Sequence, residues 1–141
     1  MKILLPVDGS KSSLNAAKYV GKLVKDLRSK STVTLISVHD DIGLGHVKQF
    51  VANDVIDDYL KEVSEKELKA AQKALDTAGV KYSAVIKRGN VAEEILALAT
   101  KGKFDLIVMG SKGRTGIIDA LMGSVAQKIS NTAKQPVLLI K

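Results

Sequence analysis

A glycine-rich segment with two basic side chains could bind phosphate. It spans residues 110–116, with the sequence GSKGRTG, and it follows an apolar run at 106–109. Glycines let the backbone approach a ligand closely, and consecutive amides can form a nest that holds an anion. Lys112 and Arg114 would add positive charge, and we expect Gly113 to adopt a positive φ. The segment therefore predicts a phosphate-binding loop.

A second glycine, Gly123, comes directly before a predicted helix. Ser124 and Gln127 have the spacing of a capping box, in which two side chains satisfy the first amides of a helix. A helix N-terminus favours an anion because its first N–H groups have no partner within the helix. The helix start thus supports a phosphate ligand. Neither the P-loop pattern GxxxxGK[ST] nor the dinucleotide pattern GxGxxG follows the first apolar run, so the sequence matches neither motif.

Asp8 places a carboxylate directly after the first apolar run, and Ser10 follows as the expected N-cap of a helix. Two interpretations of this carboxylate stay open. It either accepts hydrogen bonds from nearby amides, or it meets a ribose hydroxyl or a Mg²⁺ ion, since hard cations prefer carboxylate oxygens. In the second case Asp8 and Ser124 are the candidate metal-site residues.

These candidate residues lie in a regular alternation of short apolar runs and helical patterns. The runs occupy residues 3–7, 33–38, 82–86, 106–109 and 137–140. Apolar residues at helical spacing lie between them, as in Ala16, Val20, Leu23 and Leu27, and in Val51, Val55, Tyr59 and Val63 followed by Leu68, Ala71, Leu75 and Ala78. Asn90 with Glu93 is expected to cap a third helix, and the order of elements is βαβαβαβαβ.

This order predicts a doubly wound, Rossmann-like α/β fold with a five-stranded parallel sheet and helices on both faces. We expect the strand order 3-2-1-4-5. No linker or shift in composition divides the chain, so residues 1–141 are expected to form a single domain. Ligands of such sheets bind at the carboxyl ends of the strands. The segments after residues 7, 38 and 109 should therefore share one site.

The pattern Gly110-x2-Gly113-x9-Gly123-Ser124 resembles the G-x2-G-x9-G-[ST] motif of the ATP-binding branch of the universal stress protein family. The opening ILLPVDGS at 3–10, the strand end at 38–39, Gly89 and the closing PVLLI at 136–140 are also similar to that family. The resemblance covers the whole chain. It implies that ATP, or AMP or ADP, is bound, and it also implies a homodimer and a role in stress survival.

The resemblance also implies which residues contact the nucleotide. They are Pro6, Val7, Asp8, Val38, Met109, Gly110, Gly113, Arg114, Gly123, Ser124 and Val125. By this resemblance, Asp8 and the backbone around Val38 hold ribose and adenine. The first two glycines of the motif contact ribose and phosphates, and residues 123–125 bind the outer phosphates.

Composition limits the classes of partner. The 22 Lys and Arg against 15 Asp and Glu give a net charge of +7, but eight acidic and three basic residues between 40 and 67 give −5, which leaves +12 for the rest. With two Phe, three Tyr and no Trp, the chain lacks the stacking aromatics of single-strand binders, so nucleic-acid binding is not expected. The absence of cysteine excludes thiolate metal sites and cysteine nucleophiles. No apolar run spans a bilayer and the first acid comes too early for a signal peptide, so a cytoplasmic protein is expected.

Three functions remain open. The first is a nucleotide-dependent regulatory switch read by an unknown protein partner. The second is a slow Mg²⁺-dependent ATPase or phosphotransferase, for which no catalytic base is assignable, because His39 and His46 are expected to be solvated loop residues that bind no metal. The third is a module similar to the electron-transfer flavoproteins. No catalytic residue is therefore assigned.

Two surfaces could bind other chains. The closing run at 136–140 should be an edge strand, and four consecutive apolar residues there predict antiparallel pairing with a second copy about a two-fold axis. The acid-rich stretch 50–67 is either a partner-binding helix or a core helix with a solvated face.

Overall fold

The computed structural model describes residues 1–27, 29–40, 49–114 and 122–141. Within these ranges, five strands alternate with four helices. The strands are β1 (Lys2–Pro6), β2 (Thr32–His39), β3 (Tyr82–Arg88), β4 (Leu106–Gly110) and β5 (Val137–Ile140). The helices are α1 (Lys11–Asp26), α2 (Asn53–Thr77), α3 (Val91–Lys101) and α4 (Ser124–Thr132). His46 and residues 115–121 lie outside the described part.

The strands form one parallel sheet in the order β3-β2-β1-β4-β5, which confirms the predicted fold class and strand order. The chain adds β2 and β3 on one side of β1 and then β4 and β5 on the other. The order of strands therefore reverses between β1 and β4. This reversal opens a crevice at the carboxyl ends of the two strands, where such sheets bind ligands.

Successive residues of β1 point to opposite faces of the sheet, so the strand contributes to two cores. Ile3 and Leu5 pack with α1 and α2, whereas Leu4 packs with α3 and α4. All three side chains are fully buried. Each face of the sheet is thus covered by two helices, and the rigid layers hold the loops at the carboxyl ends of the strands. No described helix is long and apolar enough to cross a bilayer.

The predicted apolar stripe at the start of α2 is wrong. Its buried residues are Ile56, Leu60, Ser64, Leu68, Ala71 and Leu75. By contrast, Val55 is 55% exposed and Tyr59 is 58% exposed. Two neighbouring rows of apolar residues have helical spacing here, one with Val55 and Tyr59 and the other with Ile56 and Leu60. The second row is buried, because it continues along the helix into Leu68.

Three strands extend beyond their predicted ends, and one of them is β4, which includes Gly110. β2 continues to His39 and β3 to Arg88, because the two strands stay paired over that length. Lys87 and Arg88 end the apolar run in the sequence, but a sheet edge tolerates polar residues, since water reaches an edge strand. The N-cap predictions for Ser10 and Asn90 are confirmed, as their side chains accept from Ser13 N at 3.1 Å and Glu93 N at 3.1 Å.

Candidate functional site

The crevice between the carboxyl ends of β1 and β4 brings together all the nucleotide-contact residues that the resemblance implied. Its lining includes Pro6, Val7, Asp8, Val38, Met109, Gly110, Gly113, Arg114, Gly123, Ser124 and Val125. Lys112 of the glycine-rich segment also lines it. These residues come from four separate parts of the chain. The topology of the sheet therefore assembles one site from motifs that lie up to about 120 residues apart.

One wall of the crevice is apolar. Ile36, Val91, Ile95 and Ala126 join the predicted Val7, Val38, Met109 and Val125 there. Sequence analysis missed the first four because they belong to buried strand and helix faces and resemble ordinary core residues. For Ile36, the sequence did contain a usable signal: it lies two residues before Val38 on the same strand, so both side chains lie on one face. An apolar wall of this kind suits a flat apolar ring system and not a charged group.

The glycines of the motif have different structural roles. A Cβ on Gly113 would have Asp8 Oδ2, at 3.3 Å, as its nearest neighbour, so the glycine keeps open a space beside that carboxylate. A Cβ on Gly110 would lie 2.7 Å from the carbonyl carbon of Ser12, which shows that this glycine is required by the packing of β4 on α1. The expectation of a positive φ at Gly113 is wrong, because the described glycines with positive φ are Gly9, Gly79 and Gly89.

The two glycine segments touch each other. Gly123 N donates to Ser111 O at 2.7 Å, and a Cβ on Gly123 would lie 3.2 Å from Gly113 N. A side chain at position 123 would therefore push the segments apart. This contact holds the start of α4 against the glycine-rich loop.

The predicted capping box at Ser124 is also wrong. Gly123 is the N-cap of α4, and it provides no side-chain cap. Gln127 N donates to Gly123 O at 2.9 Å, so Ser124 is already the first helical residue and its hydroxyl is not in the capping position. Gly123 therefore offers no side-chain acceptor to the first amides of α4, which lie beside the crevice that Ser124 and Val125 line. An anion placed there would satisfy them.

Asp8 takes part in a local turn and also faces the crevice. Its Oδ1 accepts from Ser10 N at 3.0 Å, which agrees with the structural interpretation, while Oδ2 lies toward Gly113. Among the described residues, no three acidic or histidine side chains gather into a metal cluster. One carboxylate and the Ser124 hydroxyl fit Mg²⁺ only as an ion that takes most of its ligands from phosphate and water oxygens.

Glu67 of α2 is a charged residue beside the crevice to which sequence analysis assigned no role. Its Oε1 accepts from Arg114 Nη1, and its Oε2 accepts from His39 Nε2 at 2.9 Å and from Ser37 Oγ at 3.4 Å. Arg114 therefore lines the crevice while its guanidinium is ion-paired with Glu67. The expectation that His39 is solvated is wrong, because its ring is buried against this carboxylate.

Known proteins are similar to this chain over nearly all of its residues. The chain matches the Universal stress protein family over residues 1–141. It is 36% identical to Universal stress protein MJ0531 of Methanocaldococcus jannaschii, over 99% of this chain and 81% of that protein. The solved structure of MJ0577, from the same organism, aligns with a TM-score of 0.85 and 30% identity over 99% of this chain and 94% of that chain.

More distant structures contain adenine nucleotides. A universal stress protein family protein from Arabidopsis thaliana with AMP bound aligns with a TM-score of 0.70 and 21% identity, over 100% of this chain and 91% of that chain. A universal stress protein from Archaeoglobus fulgidus in complex with dAMP aligns with a TM-score of 0.68 and 21% identity, over 100% and 98%. At this identity the likeness establishes the shared fold.

Proposed function

Because the chain belongs to the universal stress protein family, we propose that it binds ATP in the crevice between β1 and β4 and acts as a nucleotide-dependent regulatory protein in the stress response. One observation carries this proposal. A single crevice has an apolar wall on one side and, on the other, the uncapped start of α4 held against a glycine loop with Lys112. A nucleoside phosphate has a flat apolar ring at one end and negative charge at the other, which matches this division.

Each part of the crevice has an assigned role in the proposal. Pro6, Val7, Val38 and Met109 contact adenine and ribose along the apolar wall. Asp8 Oδ2 accepts from a ribose hydroxyl, in the space that Gly113 leaves open. The amides of Ser124 and Val125 bind the outer phosphates, beside Gly123, whose own amide donates to Ser111 O. Lys112 adds positive charge. A Mg²⁺ ion, if it accompanies ATP, would neutralise phosphate charge between Asp8 and Ser124.

The relatives support an adenine nucleotide as the class of ligand. AMP is bound in the Arabidopsis thaliana protein and dAMP in the Archaeoglobus fulgidus protein. We propose ATP over AMP for this chain because the motif provides two phosphate-binding segments in contact with each other, the glycine loop and the start of α4. Two such segments can hold more than one phosphate group.

The described lining favours binding over turnover. Asp8 is the only carboxylate among the described residues that line the crevice, and Ser10 N already occupies one of its oxygens. The His39–Glu67 pair is not part of the lining, so it has no direct path to a terminal phosphate. We therefore propose a binding protein, and slow hydrolysis remains the alternative that the test below distinguishes.

Calorimetry and thermal unfolding with ATP, ADP, AMP and GTP test the proposal. Mg-ATP at 100 times its Kd should add about 2.7 kcal/mol to the free energy of unfolding, a rise of several degrees in Tm for a domain of this size. GTP should give a smaller rise. Mass spectrometry of the released nucleotide after incubation should return intact ATP. Absence of both heat and a Tm shift at millimolar ATP would sink the assignment.

The assembly and the location of the protein are further parts of the proposal. We propose that residues 1–141 act as one domain in the cytoplasm. The chain has no cysteine, so its fold uses no disulfide that the reducing conditions there would break. A second copy pairs along β5, the strand at one end of the sheet order, through the segment 136–140. A protein partner, still unknown, reads the nucleotide state.

A further inference from the structure

A basic groove runs between α1 and α2 on the surface opposite to the crevice wall. Its floor is made of small residues, including Gly21, Ala70, Ala74 and Ala78. The two helices approach closely there, since a Cβ on Gly21 would lie 2.8 Å from the Ala78 Cβ. The groove encloses about 610 Å³, so it has room for the side chains of another molecule.

Among the residues that the structure describes, four lysines and no acidic residue line this groove. The lysines are Lys18, Lys22, Lys25 and Lys73. All four side chains are exposed, and within the described part of the chain none of them has a carboxylate at ion-pair distance. The groove therefore presents four positive charges over an apolar floor. An acidic helix with exposed apolar side chains would complement it.

The first half of α2 has those properties. Residues 53–65 carry five acidic side chains and one lysine. Val55 and Tyr59 are more than half exposed on this half, between Asp54, Asp58 and Glu62. Large aromatic side chains such as that of Tyr59 are enriched at protein interfaces.

The first half of α2 also projects beyond α1. A Cβ on Gly9, just before α1, would lie 2.9 Å from Glu67 Cγ, and Gly21 faces Ala78. α1 therefore runs alongside the part of α2 from about residue 67 to residue 78. A helix rises 1.5 Å per residue. Residues 53–66 extend past the start of α1 by about 20 Å. A second molecule can reach this half without displacing α1.

We propose that two copies of this chain associate by antiparallel packing of α2, with the acidic half of each copy in the basic groove of the other. One face of α2 consists of residues spaced by three or four along the helix. These are residues 55, 59, 62, 66, 70, 73 and 77. Turning one copy about a two-fold axis near Lys66 places Asp58 opposite Lys18, and Asp54 opposite Lys22. Tyr59 then lies over the alanine floor.

This interface is closed and separate from β5. A two-fold axis satisfies both grooves at once, so packing along α2 by itself joins two copies and no more. α2 packs on β2 and β3, whereas β5 pairs with β4 at the other end of the sheet. The inference does not depend on nucleotide binding or on pairing along β5.

Single cysteines test the axis directly, because the chain has none of its own. Lys66→Cys should form a disulfide between two copies under mild oxidation, since a residue near the axis meets its own equivalent within the Cα separation that a disulfide allows. Glu65→Cys is the matched control. Its side chain points about 100° away around the helix, so it should not cross-link. Loss of the exposed Lys66–Glu62 ion pair costs little stability.

Charge reversal tests the complementarity. In the Lys66→Cys background, the pair Lys18→Glu and Lys22→Glu should lower the cross-linking rate by about tenfold, and so should the pair Asp54→Lys and Asp58→Lys. A mixture of the two reversed proteins should regain the parent rate, because each groove then meets a partner of opposite charge. The same mixture in high salt should not, since exposed charges are screened.

The results separate this interface from the others. Selective cross-linking at 66 with recovery in the mixture supports the antiparallel α2 pair. Equal cross-linking at 65 and 66, or no recovery on mixing, overturns it. If light scattering finds a dimer but the Lys66→Cys variant forms no disulfide, the α2 interface is also overturned, and pairing along β5 is left to explain the dimer. ATP binding by any variant tests the proposed function and not this interface.

Discussion

The motif glycines are best understood one residue at a time. Gly113 keeps space open beside Asp8, whereas Gly110 is packed against the backbone of Ser12. A sequence motif records both as the same letter. Gly113 therefore borders the space proposed for a ligand, whereas Gly110 is needed for the fold. Substitutions at the two positions should have different consequences.

Gly113→Val should weaken ATP binding by at least tenfold and leave the free energy of unfolding within about 0.5 kcal/mol of the parent, because the new side chain fills the space beside Asp8. Gly110→Ala is the contrasting variant. Its Cβ meets Ser12 backbone atoms that cannot move freely, so the free energy of unfolding should fall by about 1–3 kcal/mol. Calorimetry and urea unfolding measure the two effects. Equal ATP affinity in the parent and Gly113→Val would contradict the assignment of this loop.

Glu67 holds Arg114 by an ion pair at the edge of the crevice, and so competes with any phosphate for the guanidinium. Glu67→Gln removes the competing charge, and we expect the affinity for ATP relative to AMP to rise by about two- to fivefold, within the range of about 0.2–1 kcal/mol measured for exposed ion pairs. The double variant Glu67→Gln with Arg114→Ala should lose this gain. Titrations of both nucleotides measure it, and an unchanged ATP-to-AMP ratio would show that Arg114 has no part in phosphate binding.

The motif residues of the crevice could be predicted from the sequence, but part of its apolar wall and the contacts of its residues could not. Asp8, Gly113 and Ser124 belong to a motif, and each stands at a predictable strand or helix end. The pairing of Glu67 with His39 and Arg114 joins residues 28 and 47 positions apart, and it depends on how α2 packs against β2. No local pattern encodes that packing.

At the scale of elements, α2 shows what limited the prediction. Val55 and Tyr59 form one apolar row, Ile56 and Leu60 form the next, and both have helical spacing. Only the row that is continuous with Leu68 is buried. Strands β1, β2 and β4 were easier to predict, because runs of β-branched and aliphatic residues buried on both faces have no competing alternation.

α1 and α2 cross at Gly21, and this contact should outweigh helix propensity. Alanine normally stabilises the middle of a helix by about 1 kcal/mol relative to glycine. Gly21→Ala should instead lower the free energy of unfolding, by about 1–2 kcal/mol, because its Cβ would lie 2.8 Å from the Ala78 Cβ. The double variant with Ala78→Gly should recover part of the loss. A stabilised single variant in urea unfolding would show that the helices separate easily.

At the scale of the whole molecule, β5 pairs with β4 on one side and is the last strand of the sheet order. In a homodimer paired along this strand, every β5 amide is protected from hydrogen exchange, whereas in a monomer alternate amides exchange freely. We expect full protection in the parent at micromolar concentration. Leu139→Lys should remove it, together with the corresponding mass in light scattering. Free exchange of alternate amides in the parent would refute pairing along β5.

The position of β1 in the middle of the sheet has a consequence during translation. β1 can pair with β2 once residue 36 has been made, but its other edge must wait for residues 106 and 107 of β4. At 5–20 residues per second, the ribosome needs roughly 4–14 s for that interval. Protease protection of arrested nascent chains should reach β1 only after β4 has emerged. Until then the nascent chain presents an unpaired apolar strand edge, which is the kind of surface that promotes aggregation.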